Sequence, residues 1–380
     1  YTYQIELRNT AAIPVPVALS ATITNWTDVP SGSSVLEPYN VNQDSSLPQY
    51  MCWWAGFNGI KMPLKDMPDG VNTVHLFLID LDPRPNVALD TTHMIMQGMS
   101  WASILNDAHA LQARGIKVVA TIQGLYHQTT DITPPYAADH GIPPSVMNKA
   151  IALGTITDYK TYAATIKRRV LDDWKLDGLD LDIEEIWDGV GGPSAYNNTP
   201  DKDGNWNISS PQSVSNASNL INELSKYFGP KSKSGKLFIV DRGADPGDLI
   251  PKVYTCFDRI IFQLYGSPPS YVTDAYNQNK QYFDPKNMYF TYNASRAQSS
   301  YDEDASPLYT AFNFGSDING AVSQFTTFAS VVLPGQTRTI NTGIYQMSAD
   351  WSLKYPLTNA AFAVQKKPLI PGGYIAPIKH

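Results

Sequence analysis

Three carboxylates alternate along one short stretch, Leu176-Asp177-Gly178-Leu179-Asp180-Leu181-Asp182-Ile183-Glu184. Side chains on a strand alternate faces, so Asp180, Asp182 and Glu184 share one side and Leu179, Leu181 and Ile183 the other. Successive acids then stand roughly 6.6 Å apart. The apolar trio suits a face packed on helices, which turns the acids toward a barrel interior. Crowding and desolvation favour the protonated form of a carboxyl group. A carboxyl that keeps its proton at the mouth of a cleft is a candidate general acid. Two other arrangements share the spacing. One is an edge strand with its acids in water. The other is a carboxylate-only site, which suits magnesium or calcium better than zinc. No His lies close in sequence. The six His show no metal-ligand spacing and read as ordinary polar residues.

A second chemistry-bearing run is Phe262-Gln263-Leu264-Tyr265. The same alternation puts Gln263 and Tyr265 on one face. A buried Gln and Tyr in a barrel core would look alike. Aromatic residues reach 11%, with 22 Tyr and 8 Trp. Such rings offer an apolar face with a polar handle, useful for gripping sugars and equally useful in a large core. Trp187 follows the acids, Tyr126 follows another β-like run, and Asn293 closes a third; all three are candidate sugar contacts.

These residues need a scaffold. From residue 50 onward, β-like runs alternate with helical stretches. The predicted strands are Met51–Gly56, Val74–Asp80, Lys117–Gln123, Gly178–Glu184, Lys236–Asp241, Arg259–Tyr265, Asn287–Tyr292 and Thr342–Met347. The predicted helices include Met94–Arg114, Asp158–Lys175, Ser213–Phe228, Ser270–Gln278 and Ile318–Val331. Alternation of this kind implies a parallel sheet with helices outside. Eight strands over this length fit an α/β fold, a (β/α)8 TIM barrel with loop insertions. A doubly wound open sheet is the runner-up, but Trp54-Ala55-Gly56-Phe57-Asn58-Gly59 is not its Gly-rich phosphate turn. Residues 1–46 differ. Two period-two runs, Tyr3–Leu7 and Val15–Ile23, precede a Pro/Gly/Ser stretch and a polar run. They read as a short N-terminal β extension and linker before a barrel over 47–380. The long segments 124–154 and 185–212 would lie on the catalytic face of a barrel.

Composition excludes other classes. Lys plus Arg is 28 and Asp plus Glu is 35, a net charge of −7, with no basic stripe for nucleic acid. No stretch approaches the ~20 apolar residues of a membrane span. The chain begins at Tyr1 rather than Met, so a removed signal segment and a secreted or cell-surface location are expected. Cys52 and Cys256 fall on or beside non-neighbouring strands and read as two thiols rather than one bridge.

Asp177-Gly178-Leu179-Asp180-Leu181-Asp182-Ile183-Glu184 resembles the DGxDxDxE signature of glycoside hydrolase family 18 at every fixed position. That family comprises chitinases and endo-β-N-acetylglucosaminidases on (β/α)8 barrels. The resemblance implies that Glu184 is the general acid and that Asp182 orients the substrate's 2-acetamido group. It implies that Asp180 tunes Asp182 and that Asp177 is structural. It implies a nucleophile supplied by the substrate, with the acetamido oxygen forming an oxazolinium intermediate and net retention. No cofactor or metal is implied. Gln263-Leu264-Tyr265 followed by Gly266 is similar to the Gln-x-Tyr of the endo-β-N-acetylglucosaminidases, where chitinases carry Met-x-Tyr-Asp. Tyr265 would donate to the acetamido carbonyl and Gln263 would help place that group. Trp351 resembles the tryptophan that floors the sugar site in chitinases, although a packing role fits as well. The expected activity is cleavage of the β-1,4 bond in the N,N'-diacetylchitobiose core of N-glycans, by a monomer. The alternatives are a chitinase, a glycan-binding barrel without catalysis, and a structural or interaction protein.

Overall fold

A computed structural model describes residues 3–8, 16–21, 40–56, 60–82, 86–95, 98–123, 158–183, 211–242, 249–294 and 318–374. The chain divides into two units, Tyr1–Asn40 and Val41–His380. In the first, β1 (Tyr3–Arg8) and β2 (Pro16–Ala21) pair antiparallel, with Tyr3 opposite Ala21 and Arg8 opposite Pro16. The period-two runs predicted these strands.

The second unit is a closed barrel. Its strands are β3 (Tyr50–Ala55), β4 (Thr73–Leu81), β6 (Lys117–Gln123), β7 (Gly178–Ile183), β8 (Leu237–Arg242), β9 (Arg259–Gln263), β10 (Met288–Asn293) and β11 (Asn341–Tyr345). They pair in parallel in that order, and the circle closes where β11 and β4 both pair with β3. A two-residue strand, β5 (Leu89–Asp90), adds antiparallel to the end of β4. Thus the α/β, (β/α)8 expectation holds, and every predicted barrel strand is present.

Alternation explains how the barrel fills. Cys52, Trp54, Leu76, Val118, Leu179, Leu181, Ile183 and Val240 face outward and join one continuous apolar layer with the helices. Inward residues of the same strands form a separate cluster that includes Met51, Trp53, Phe77, Val119, Ile239, Ile261, Tyr289 and Tyr345. This two-face burial is why the strands read as near-continuous apolar runs.

Several boundaries differ from the sequence reading. The helix predicted from Met94 begins at Trp101, after Ser100, whose side chain accepts from Ser103 N at 3.1 Å. Gly98, in the left-handed region at φ +82°, separates it from the short turn His93–Ile95. The helix Tyr159–Lys167 runs into a π turn, Arg168–Asp173, so one predicted helix is two geometries. The last strand ends at Tyr345, because Gln346 takes a left-handed conformation and Met347–Ser352 is helical. A closing helix, Pro356–Gln365, was not predicted. Residues just after Asn40 belong to the barrel unit: Asn42 donates to Asp69 Oδ1 (3.1 Å) and the Arg114 carbonyl (2.9 Å). Cys52 and Cys256 are free, buried thiols. Among the described residues, no helix is long and apolar enough to cross a membrane.

Candidate active site

Parallel closure puts every C-terminal strand end at one mouth. There β7 presents Asp180 and Asp182 on its inner face, 0% and 1% exposed, as alternation predicts. Leu179, Leu181 and Ile183 pack into the outer layer. Neither acid stands in water, so the edge-strand alternative is excluded for these two. Glu184 lies outside the described residues, as do Trp187 and Tyr126.

Asp180 is held from two strands. His75 Nδ1, on β4, donates to its Oδ2 at 2.8 Å. Thr121 Oγ1, on β6, donates to the same oxygen at 2.9 Å. Its Oδ1 is buried and accepts no hydrogen bond among the described residues. His75 is itself 1% exposed, so an uncompensated carboxylate here would be costly. This corrects the reading of the histidines as ordinary polar residues: His75 lines the lumen at the acid cluster. The apolar neighbours of His75 in sequence conceal that role.

Asp182 is held from the other side. Gln263 Nε2, at the end of β9, donates to Asp182 Oδ1 at 3.1 Å. The same nitrogen donates to Asp241 Oδ2, also at 3.1 Å. Asp241 closes the inner face of β8, is fully buried, and pairs in register with Asp182. The sequence reading missed it. The only signal was its position at the end of a predicted strand, two residues after inward Ile239.

Asp177 starts the segment and stays outside this cluster. It accepts from Val118 N (3.0 Å) and Gln112 Nε2 (2.8 Å), clamping β7 to β6 and to the helix Trp101–Ala113. Gly178 is required by closure: a Cβ there would overlap the Leu237 carbonyl oxygen.

Aromatic rings floor the mouth. Tyr265 stacks on Tyr345 with centroids 5.7 Å apart and planes 19° apart. Tyr345 meets Phe77 (5.4 Å) and Trp53 (6.1 Å) edge to face. Trp53 in turn lies 5.5 Å from the His75 ring. The structure therefore connects Tyr265 to the acids through Tyr345, Trp53 and His75. Trp351 sits on the helix Met347–Ser352 and packs against the outer apolar layer, not among these rings. Asn293 ends β10, buried, with Tyr345 as its register partner. Among the described residues, no group of three or more His, Cys, Asp or Glu could hold a metal ion.

The arrangement brings desolvated acceptors, one amide clamp and stacked rings together at one end of the barrel. Such a set of groups can orient a polar group on an apolar-faced ligand. A family model described as the endo-β-N-acetylglucosaminidase EndoS TIM-barrel domain matches residues 53–312. An endo-β-N-acetylglucosaminidase F2 of Elizabethkingia meningoseptica is 23% identical over 243 residues, 63% of this chain and 56% of that protein. An endo-β-N-acetylglucosaminidase of Bifidobacterium longum subsp. infantis is 30% identical over 122 residues, 32% of this chain and 18% of that protein. The chain thus spans about half, or less, of the length of these relatives. The crystal structure of an endo-β-N-acetylglucosaminidase from Cordyceps militaris superposes with a TM-score of 0.50 at 18% identity, covering 84% of this chain and 94% of that one. At that identity the likeness speaks to the fold alone.

Proposed function

The chain belongs to the endo-β-N-acetylglucosaminidase EndoS TIM-barrel domain family, and from that premise we propose that it hydrolyses the β-1,4 bond between the two core N-acetylglucosamines of N-glycans. In this reading Glu184 protonates the glycosidic oxygen. The acetamido oxygen of the substrate attacks the anomeric carbon, so the nucleophile arrives already tethered. Asp182 orients that acetamido group, and Tyr265 donates to its carbonyl. Asp180 stabilises Asp182 from below.

The observation that carries the reading is the clamped Asp182. Its carboxylate is 1% exposed and is fixed by Gln263 beside a stack of tyrosines. Holding a carboxyl group in so buried a place costs stability that hydrogen bonds such as that from Gln263 offset. A carboxyl group so held can orient the amide of a sugar.

Incubation with a high-mannose glycoprotein and, separately, with chitin oligomers tests the proposal. Mass spectrometry of the glycopeptide should show a single N-acetylglucosamine left on asparagine. Cleavage of chitin oligomers alone would make the chain a chitinase instead. Glu184→Gln should abolish hydrolysis while glycan binding persists, and unchanged turnover would remove Glu184 from its role.

A further inference from the structure

Among the described residues, the mouth of the barrel holds a carboxyl group that no sequence motif marks, Asp241. Asp241 ends the inner face of β8 and is the register partner of Asp182 on β7. Adjacent strands lie about 4.8 Å apart, so the two side chains are neighbours on one wall. Gln263 reaches both from β9. An amide nitrogen carries two hydrogens, and this one offers both to carboxylate oxygens, each at 3.1 Å. The opposite orientation of the amide would set Oε1 against two carboxyl oxygens. The pair of acids therefore selects the orientation of the amide.

We propose that Asp241 is a positioning residue that acts through Gln263. It anchors the amide on one side so that the amide can hold Asp182 in the orientation the reaction uses. The inference rests on the reading of Asp182 as the group that orients the acetamido. With one acceptor, Gln263 has a free hydrogen and a wider choice of rotamers. Asp182 is then held less firmly from the β9 side. Displacing a reacting group by about 1 Å can cost on the order of 100-fold in rate. Asp241 itself touches no reacting atom in this scheme, so its loss should fall on kcat rather than on KM.

The test is a double-mutant cycle on cleavage of a high-mannose glycopeptide. Asp241→Ala should lower kcat about 10- to 100-fold with KM changed less than about threefold. Asp241→Asn keeps an oxygen able to accept from Gln263, and should recover most of that loss. In a Gln263→Leu background, Asp241→Ala should cost little more, because the path is already cut. Additive losses, or an Asp241→Asn as impaired as Asp241→Ala, would overturn the proposal. A crystal structure of Asp241→Ala gives a readout independent of turnover. The Gln263 amide should leave Asp182, and an amide still within hydrogen-bond distance of it would also overturn the proposal. If the unmodified chain cleaves no N-acetylglucosamine-containing substrate, the functional reading fails, and the crystal structure still decides whether Asp241 sets the amide.

Discussion

His75 and Asp180 meet 2.8 Å apart inside the barrel, one from β4 and the other from β7. Both are buried to within 1%. A buried carboxylate is tolerated when charged or polar donors surround it. Thr121 supplies one donor and His75 the other. His75→Phe keeps a ring against Trp53 but removes the donor. It should destabilise the fold by about 1–3 kcal/mol, the cost of stripping a buried acceptor of its partner. Under the proposed function, in which Asp180 supports Asp182, it should also lower turnover. Urea denaturation and steady-state kinetics measure the two effects. A variant as stable and as active as the parent would show that Thr121 alone suffices.

The sequence and the fold agree where the signal is local. Alternation placed Asp180 and Asp182 on the inner face of β7, and Gln263 on that of β9, from spacing alone. His75, Asp241 and Tyr345 escaped notice for one reason. Each owes its role to a partner on another barrel strand: His75 to Asp180, Asp241 to Gln263, Tyr345 to Tyr265. The order in which the strands pair brings these partners together, and no local periodicity encodes that order. Trp351 illustrates the converse. Its position just past the last strand left a sugar floor and a packing role both open, and the left-handed Gln346 turns the chain into a helix there. The ring packs against the outer apolar layer, and Tyr345, at the end of β11, stacks on Tyr265.

Gly178 provides a test of the acid strand itself. A Cβ at this position would overlap the Leu237 carbonyl oxygen and approach its Cβ to 2.7 Å. Backbone atoms of β8 cannot move aside without breaking their ladder with β7. Gly178→Ala should therefore cost about 1–3 kcal/mol, as overpacking in a tight core does. It should also shift Asp180 and Asp182, two and four residues on, relative to Gln263. Thermal unfolding and kcat should both fall. Loss of stability with intact kcat would show that the strand absorbs the strain below the acids.

Lys367 predicts an alkaline effect. Its Nζ donates to the Gly70 carbonyl (2.8 Å) and Asn72 Oδ1 (2.6 Å), and the residue is 5% exposed. Burial pulls its pKa down to about 7, with Asp44 opposing weakly. Above that pH the folded state has released its proton while the unfolded chain still holds one. The unfolded state then binds more protons, so this group's contribution to stability rises with pH until the ordinary lysine value is reached. The stability difference between the parent and Lys367→Met should grow by up to about 4 kcal/mol from pH 7 to pH 10. Urea unfolding at both pH values measures it. A constant difference would mean that the amine stays charged in the fold.

Asp350 predicts the reverse slope on the acid side. It is fully buried, and its carboxyl accepts from Leu357 N (2.8 Å), Thr358 N (3.0 Å) and Thr358 Oγ1 (2.6 Å), holding the start of the helix Pro356–Gln365. Burial raises its pKa to about 6, and the three hydrogen bonds pull it back only in part. Between the ordinary aspartate value and 6, the folded state carries a proton that the unfolded chain has lost. The contribution of Asp350 is therefore complete at low pH and declines as pH rises through that window. Asp350→Ala strands two backbone donors and should cost about 1–3 kcal/mol from that alone. The cost should be greater at pH 4 than at pH 7, by up to about 3 kcal/mol. Asp69, Asp158 and Asp284 have lowered pKa values and pull whole-protein stability the other way. The parent-minus-variant difference, rather than the raw curve, is therefore the quantity to follow. An equal cost at both pH values would show that the folded carboxyl titrates as freely as it does in the unfolded chain, and that the three hydrogen bonds offset burial in full.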